Sequence, residues 1–109
     1  MNEAINLPPM AREVFDQHPE LWESYKRLGT AVSSAGPLEL RERRLVHLAM
    51  AIAIGSEGAT HSHARRAIEE GCTVDQLEHV ALLGITTLGW PQAIRGLSWI
   101  RDTTQADAG

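Results

Sequence analysis

The sequence predicts an all-α protein, a compact bundle of five or six short helices, and three observations carry that expectation. Aromatic residues make up only 5% of the chain, while alanine and leucine, the strong helix formers, are abundant. Apolar residues recur at helical spacing in nearly every segment between breakers. No segment reads as a strand with a neighbour to pair with; even Ala81–Leu88, apolar throughout its first half, has no flanking strand.

Taken in order, residues 1–7 read as a loose start, and Pro8-Pro9 suits the first turn of a helix. Met10, Val14 and Phe15 give that helix a short apolar stripe, and Pro19 ends it. A second helix is expected from about Glu20 to Ser33, because Leu21, Tyr25, Leu28 and Val32 share one face with Trp22 alongside. Ser33-Ser34-Ala35-Gly36-Pro37 is a turn by composition.

The third helix is expected from about Leu38 to Ile54. Its first half is charged, with Glu39, Arg41, Glu42, Arg43 and Arg44. Its second half is apolar on all sides apart from His47, so it is expected to be buried on all sides, partly by another subunit. His47 is read as a core histidine with satisfied hydrogen bonds rather than a ligand.

A fourth helix from Thr60 to Gly71 places Ala64, Ala67, Ile68 and Gly71 on one face. His61 and His63 fall on the two flanks, each about 75° from the centre at 100° per residue. Ser62, Arg65, Arg66 and Glu69 are expected to point away. Gly71 closes this helix. Thr73-Val74-Asp75-Gln76 has the form of a capping box for a fifth helix, with Leu77, Val80, Ala81, Gly84 and Leu88 as its stripe. His79 falls on its polar side. Gly89-Trp90-Pro91 separates that helix from a last one lined by Ile94, Leu97 and Ile100, and residues 103–109 are expected to fray.

The 109 residues suffice for one domain with a modest core, with residues 20–100 as its body. A net charge of −4 without a basic stripe argues against a nucleic-acid binder. A single cysteine, Cys72, excludes a disulfide within the chain and any Cys-x-x-Cys pair. With no apolar run near 18 residues and no basic-then-apolar leader pattern, a cytoplasmic protein without a membrane span is expected.

The titratable side chains concentrate between Gly55 and Gly71, where Glu57, His61 and His63 adjoin the apolar third helix. Two readings follow. The imidazoles are half-buried boundary residues, or they form an acid–base site, with histidine suited to proton transfer near neutral pH. Metal binding through Glu57, His61 and His63 is not expected, because residues two apart on a helix do not share a face. No cofactor is expected.

Arg41-Glu42-Arg43-Arg44-Leu45, then a mostly apolar run to Gly55, then His63-x-x-x-Ala67-x-x-x-Gly71, Thr73-x-Asp75-Gln76-Leu77 and Leu88-Gly89-Trp90-Pro91-Gln92-Ala93 follow one another. This order resembles the carboxymuconolactone decarboxylase family, which includes the alkylhydroperoxidase D-like proteins, over about residues 20–100. The resemblance implies an all-helical fold assembled as a homo-oligomer, a trimer or a hexamer. It also implies one of two chemistries. The peroxidase-like branch uses Cys-x-x-Cys-x-x-x-His with an upstream glutamate; its histidine matches His63, but its cysteines fall at Ser56 and Ala59 and its glutamate near Arg44. Peroxide reduction needs a thiolate, so that activity would survive only as a family label.

The decarboxylase branch fits better. It implies a small carboxylated substrate, with His63 as the acid–base residue and Arg41 or Arg43 holding the carboxylate. That branch usually has a glutamate at the position of Ala59; Glu57 or His61 are the candidates to replace it. Trp90 is expected to wall the pocket. The alternative is a binding or structural member that kept the fold and lost the reaction.

Overall fold

The computed structural model describes residue 7 and residues 9–105. Six α-helices and one 3-10 turn occupy them: α1 (Pro9–Gln17), α2 (Pro19–Ser33), α3 (Leu40–Ala53), α4 (Glu57–Glu69), α5 (Val74–Leu83), the 3-10 turn Gly84–Thr86, and α6 (Trp90–Thr104). No strand occurs among the described residues, and none of these helices is long and apolar enough to cross a membrane.

Local chemistry fixes most of the boundaries. Pro19 opens α2 one residue after α1 ends, since its missing N–H is no loss in a first turn. At the start of α3 the Glu42 carboxylate accepts from the Glu39 N–H at 2.7 Å. The Thr73 box forms as expected: its hydroxyl accepts from the Gln76 N–H at 3.1 Å, and the Gln76 side chain accepts from the Thr73 N–H at 2.9 Å. Gly71, at φ 102, makes the left-handed turn that closes α4.

Four expectations need correction. Helix α4 begins at Glu57, a turn before Thr60, because Ser56 caps it by accepting from the Ala59 N–H at 3.2 Å. Helix α5 stops at Leu83 rather than Leu88: the N–H groups of Thr87, Leu88 and Gly89 all converge on the Gly84 carbonyl, which tightens the chain into a 3-10 turn. Thr103 and Thr104 belong to α6, and the Thr103 hydroxyl donates to the Ile100 carbonyl at 2.8 Å; residues 106–109 lie outside the described residues, as do residues 1–6 and Pro8. Ser62 does not point away but is buried. The reason is that α4 lies between α3 and α6, so two of its faces are covered instead of one.

The core is made by α3 to α6. Leu48 and Ile52 of α3, Ala64 and Ala67 of α4, Leu77 and Ala81 of α5, Ile100 of α6 and the connecting Cys72 form one buried cluster. The alanines let α3 approach α4 closely, as the sequence spacing required. Helices α1 and α2 contribute no buried residue. They form a hairpin joined by Phe15, Trp22 and Tyr25, with ring centroids of Phe15 and Trp22 5.1 Å apart and those of Phe15 and Tyr25 5.6 Å apart.

Helix α3 is not buried on all sides within one chain. Val46, Met50 and Ile54 are exposed, and so are Leu82, Leu83 and Leu88. Between α3 and the α5 end lies an apolar groove of about 620 Å³, lined among others by Leu45, Met50, Val80 and Leu83. On α2 the stripe Leu21, Tyr25, Leu28 and Val32 is likewise exposed.

Candidate functional site

A second cavity, about 570 Å³, lies where α2 faces α3 and α4. Trp22, Tyr25 and Lys26 come from α2, Arg44 and His47 from α3, and His63 and Arg66 from α4. The spacings explain the pairings. Arg44 and His47 are three apart on α3, and His63 and Arg66 three apart on α4, so each helix presents one imidazole and one guanidinium on a common face.

The two imidazoles meet. Their ring centroids lie 5.3 Å apart at 41°. The Nδ1 atoms of both His47 and His63 are buried without a hydrogen-bond partner. A buried polar atom without a partner is rare in a folded protein, and two in contact mark a place built for something other than packing. The expectation of a satisfied core histidine at position 47 therefore does not hold. His47 is half-buried and opens onto the cavity.

Burial holds the proton affinity of His63 down, and the neighbouring His47, Arg66 and Arg44 lower it further, to about 4. His47 is lowered too, first by burial and then by Arg44, Arg66 and Arg43. Both rings are thus neutral at pH 7, each with a free acceptor or donor nitrogen. Among the described residues no carboxylate lines the cavity. Arg44 is held from behind by Glu70, with one guanidinium nitrogen 3.2 Å from the carboxylate. Lys26 sits 5.3 Å over the Trp22 ring and 3.3 Å from Glu23. Arg66 makes no hydrogen bond or ion pair with a side chain among the described residues. The result is a positive, partly aromatic cavity around two neutral imidazoles.

This arrangement has a consequence for stability. The folded-state pKa of His63 lies below its ordinary 6.5. Above that value both folded and unfolded chains hold the ring neutral, and the stability is fully present. As pH falls from 6.5 to about 4 the unfolded chain takes up a proton that the folded one refuses, so stability is lost. Solvent on the open side screens the effect to about 1–2 kcal/mol. Thermal unfolding of the wild type and of His63→Gln between pH 7 and 4 should show the difference: the variant loses less stability than the wild type over that range.

The other residues singled out in the sequence lie elsewhere. The His61 Nε2 is 3.1 Å from Asp102 Oδ2 of α6 and 3.9 Å from Glu57 Oε2. Neither His61 nor Glu57 lines the cavity that holds His63. Arg41 donates to the Glu70 carbonyl at 3.3 Å and packs over Gly71. Arg43 donates to the Leu38 carbonyl at the start of its own helix. Trp90 is 62% exposed and lines neither cavity. The structure brings Arg44 and Arg66 to His63 instead, with His47, which sequence reasoning assigned to the core. The His47–His63 pair lies across two helices, and no spacing along the chain could reveal it.

Cys72 is buried between α4 and α5, 3.8 Å from the Arg41 carbonyl, and burial raises its thiol pKa. A buried, protonated thiol is a poor nucleophile. Ser56, at one of the cysteine positions of the peroxidase-like pattern, serves as the α4 cap.

The model of the carboxymuconolactone decarboxylase family matches residues 19–102. The chain is also similar to the uncharacterized protein MJ1511 of Methanocaldococcus jannaschii, with 28% identity over 82 residues, 75% of this chain and 77% of that protein. No solved structure matches at comparable significance.

Proposed function

The chain belongs to the carboxymuconolactone decarboxylase family, and on that premise we propose that His63 moves a proton on a small carboxylated organic molecule. The observation that carries this is the contact between two half-buried imidazoles, each with a buried, unpartnered Nδ1, inside a cavity that also holds Arg44 and Arg66. Arg66 takes the carboxylate, because it has no competing side-chain partner among the described residues; a guanidinium matches a carboxylate with two parallel N–H bonds. Trp22 and Tyr25 offer flat apolar faces to a conjugated body.

At rest the neutral His63 is a base. A bound carboxylate offsets the field of Arg66 and Arg44 and raises the proton affinity of the ring, so binding is accompanied by proton uptake. In a decarboxylation the carbon–carbon bond to the carboxylate breaks, CO2 leaves, and the electron pair stays on the conjugated framework. The imidazolium then gives its proton to that carbon. His47, within ring contact, limits the pair to one added proton at a time, since two adjacent imidazolium ions repel.

The test uses a panel of small lactone carboxylates and unsaturated carboxylates. Loss of the conjugated carboxylate is followed by ultraviolet absorbance and CO2 by mass spectrometry. Turnover by the wild type and a raised KM in Arg66→Gln are the expected results. Binding without turnover, measured by calorimetry on the same panel, would instead favour the reading of a binding member of the family. A dithiol-dependent peroxidase activity has no support in the chain: Cys72 is its lone cysteine, buried and protonated. Such a buried thiol also suits a reducing, cytoplasmic setting.

The same proposal includes assembly. The apolar groove beside α3 and the exposed stripe on α2 leave more apolar surface uncovered than an isolated small protein usually shows. A homo-oligomer, trimer or hexamer, would cover both. Light scattering should give a mass several times 12.0 kDa; a stable monomer at micromolar concentration would refute it.

A further inference from the structure

The cluster at the other end of α4 has no role in the cavity that holds His63. Glu57 and His61 are one turn apart on α4, and Asp102 reaches them from the last turn of α6. One donor atom from each of the three lies within 4.8 Å of the other two. The His61 Nε2 is the hub, at 3.1 Å from Asp102 Oδ2 and 3.9 Å from Glu57 Oε2. We infer that Glu57, His61 and Asp102 form a binding site for a first-row divalent cation of the zinc type.

Geometry and charge both favour it. Around an ion with bonds near 2.1 Å, neighbouring donor atoms sit about 3.0–3.5 Å apart. The His61–Asp102 separation of 3.1 Å lies inside that range, and the His61–Glu57 separation of 3.9 Å lies above it. The two carboxylates are about half exposed, at 59% and 52%, so their side chains are free to close in on an ion. The imidazole is held more firmly, at 22% exposure. Two carboxylates and one neutral imidazole carry a charge of about −2, which matches a divalent ion, and one nitrogen with oxygen donors suits zinc or its neighbours better than magnesium or calcium. The last turn of α6 adds the negative end of its dipole. Arg101, next to Asp102 in the chain, is turned to Glu78, with both guanidinium contacts at 3.1 Å.

The donors come from two helices. An ion there would tie the start of α4 to the end of α6, and binding to the folded state alone raises its stability by mass action. This site is independent of the proposed proton-transfer site, so the failure of either leaves the other standing.

Calorimetric titration of the full-length, metal-stripped protein with zinc chloride tests the inference, with thermal unfolding as a second readout. The expected result is one ion per chain with a micromolar Kd and a raised unfolding midpoint. His61→Gln and Asp102→Asn should each weaken binding at least tenfold, while His63→Gln should leave it unchanged. If His61→Gln fails to fold, Glu57→Gln, at the exposed side, carries the same expectation. No zinc binding by the wild type, or binding that survives in both Asp102→Asn and Glu57→Gln, would overturn the assignment. Binding lost in His63→Gln instead would place the ion at the paired imidazoles and overturn it equally.

Discussion

Replacing His63 by glutamine should lower turnover of a carboxylated substrate by about 10²–10⁴-fold, the usual worth of a positioned acid or base. The protein should remain folded. The ring makes no hydrogen bond through its buried Nδ1, and a neutral imidazole in a cavity contributes little that an amide of similar size cannot replace. His47→Gln should have a smaller effect, because that ring acts on His63 rather than on the substrate. The pH profile separates the two ways His63 can be used. If the resting base abstracts a proton, kcat/KM stays level above the low pKa of about 4 and falls below it. If the ring must first be protonated, as decarboxylation requires, the rate declines as pH rises, and the decline moves or disappears in His47→Gln. A His63→Gln variant that turns over at the wild-type rate would sink the assignment under either mechanism.

The second large effect is structural. Gly96→Ala should destabilise the fold by about 1–2 kcal/mol, even though alanine is the better helix former by about 1 kcal/mol. A Cβ on Gly96 would meet three atoms of Ile52, at 2.6, 3.0 and 3.0 Å. Ile52 is itself 2% exposed, and its β-branched side chain is stiff about χ1, so the nearby Cγ2 does not move aside freely. The methyl group would therefore push α6 away from α3 at the point where both enter the core. Chemical denaturation of the single variant and of Gly96→Ala/Ile52→Val provides the check. The smaller valine should return part of the loss, with a coupling between the two positions that additive effects would not give. A Gly96→Ala protein as stable as the wild type would mean that the two helices do not approach as described.

Gly96 marks the division between what the chain order reveals and what it does not. The spacing of Leu21, Tyr25, Leu28 and Val32, the Thr73 box, Pro19, Gly71 and the Gly89-Trp90-Pro91 break are local signals, and each set a helix or its end. The resemblance of residues 20–100 named the family, which the match over residues 19–102 shows. His63 stood out from its place beside a face of small residues; Ala64 and Ala67 of that face do pack with Leu48 and Ile52 of α3, while Ile68 and Gly71 are exposed. These features depend on interactions within a few residues, or on an order of residues that can be read along the chain.

The partners of those faces depend on tertiary packing. Periodicity says that His61 and His63 lie on opposite flanks of α4; it does not say that α6 covers one flank with Asp102 while α3 covers the other with His47. The sequence pointed to Arg41 or Arg43, and not to Arg44, as the residue that holds a carboxylate. Only the rotation of α3 in the bundle sends Arg41 to the Glu70 carbonyl and Arg43 to Leu38, leaving Arg44 at the cavity. Burial of Ser62 and the exposure of Met50 and Ile54 follow from the same cause. A helix sequence determines which residues share a face, because the backbone repeat fixes their angles. Which face meets which neighbour is decided by how α3 to α6 share one core, and that is where the two imidazoles were brought together.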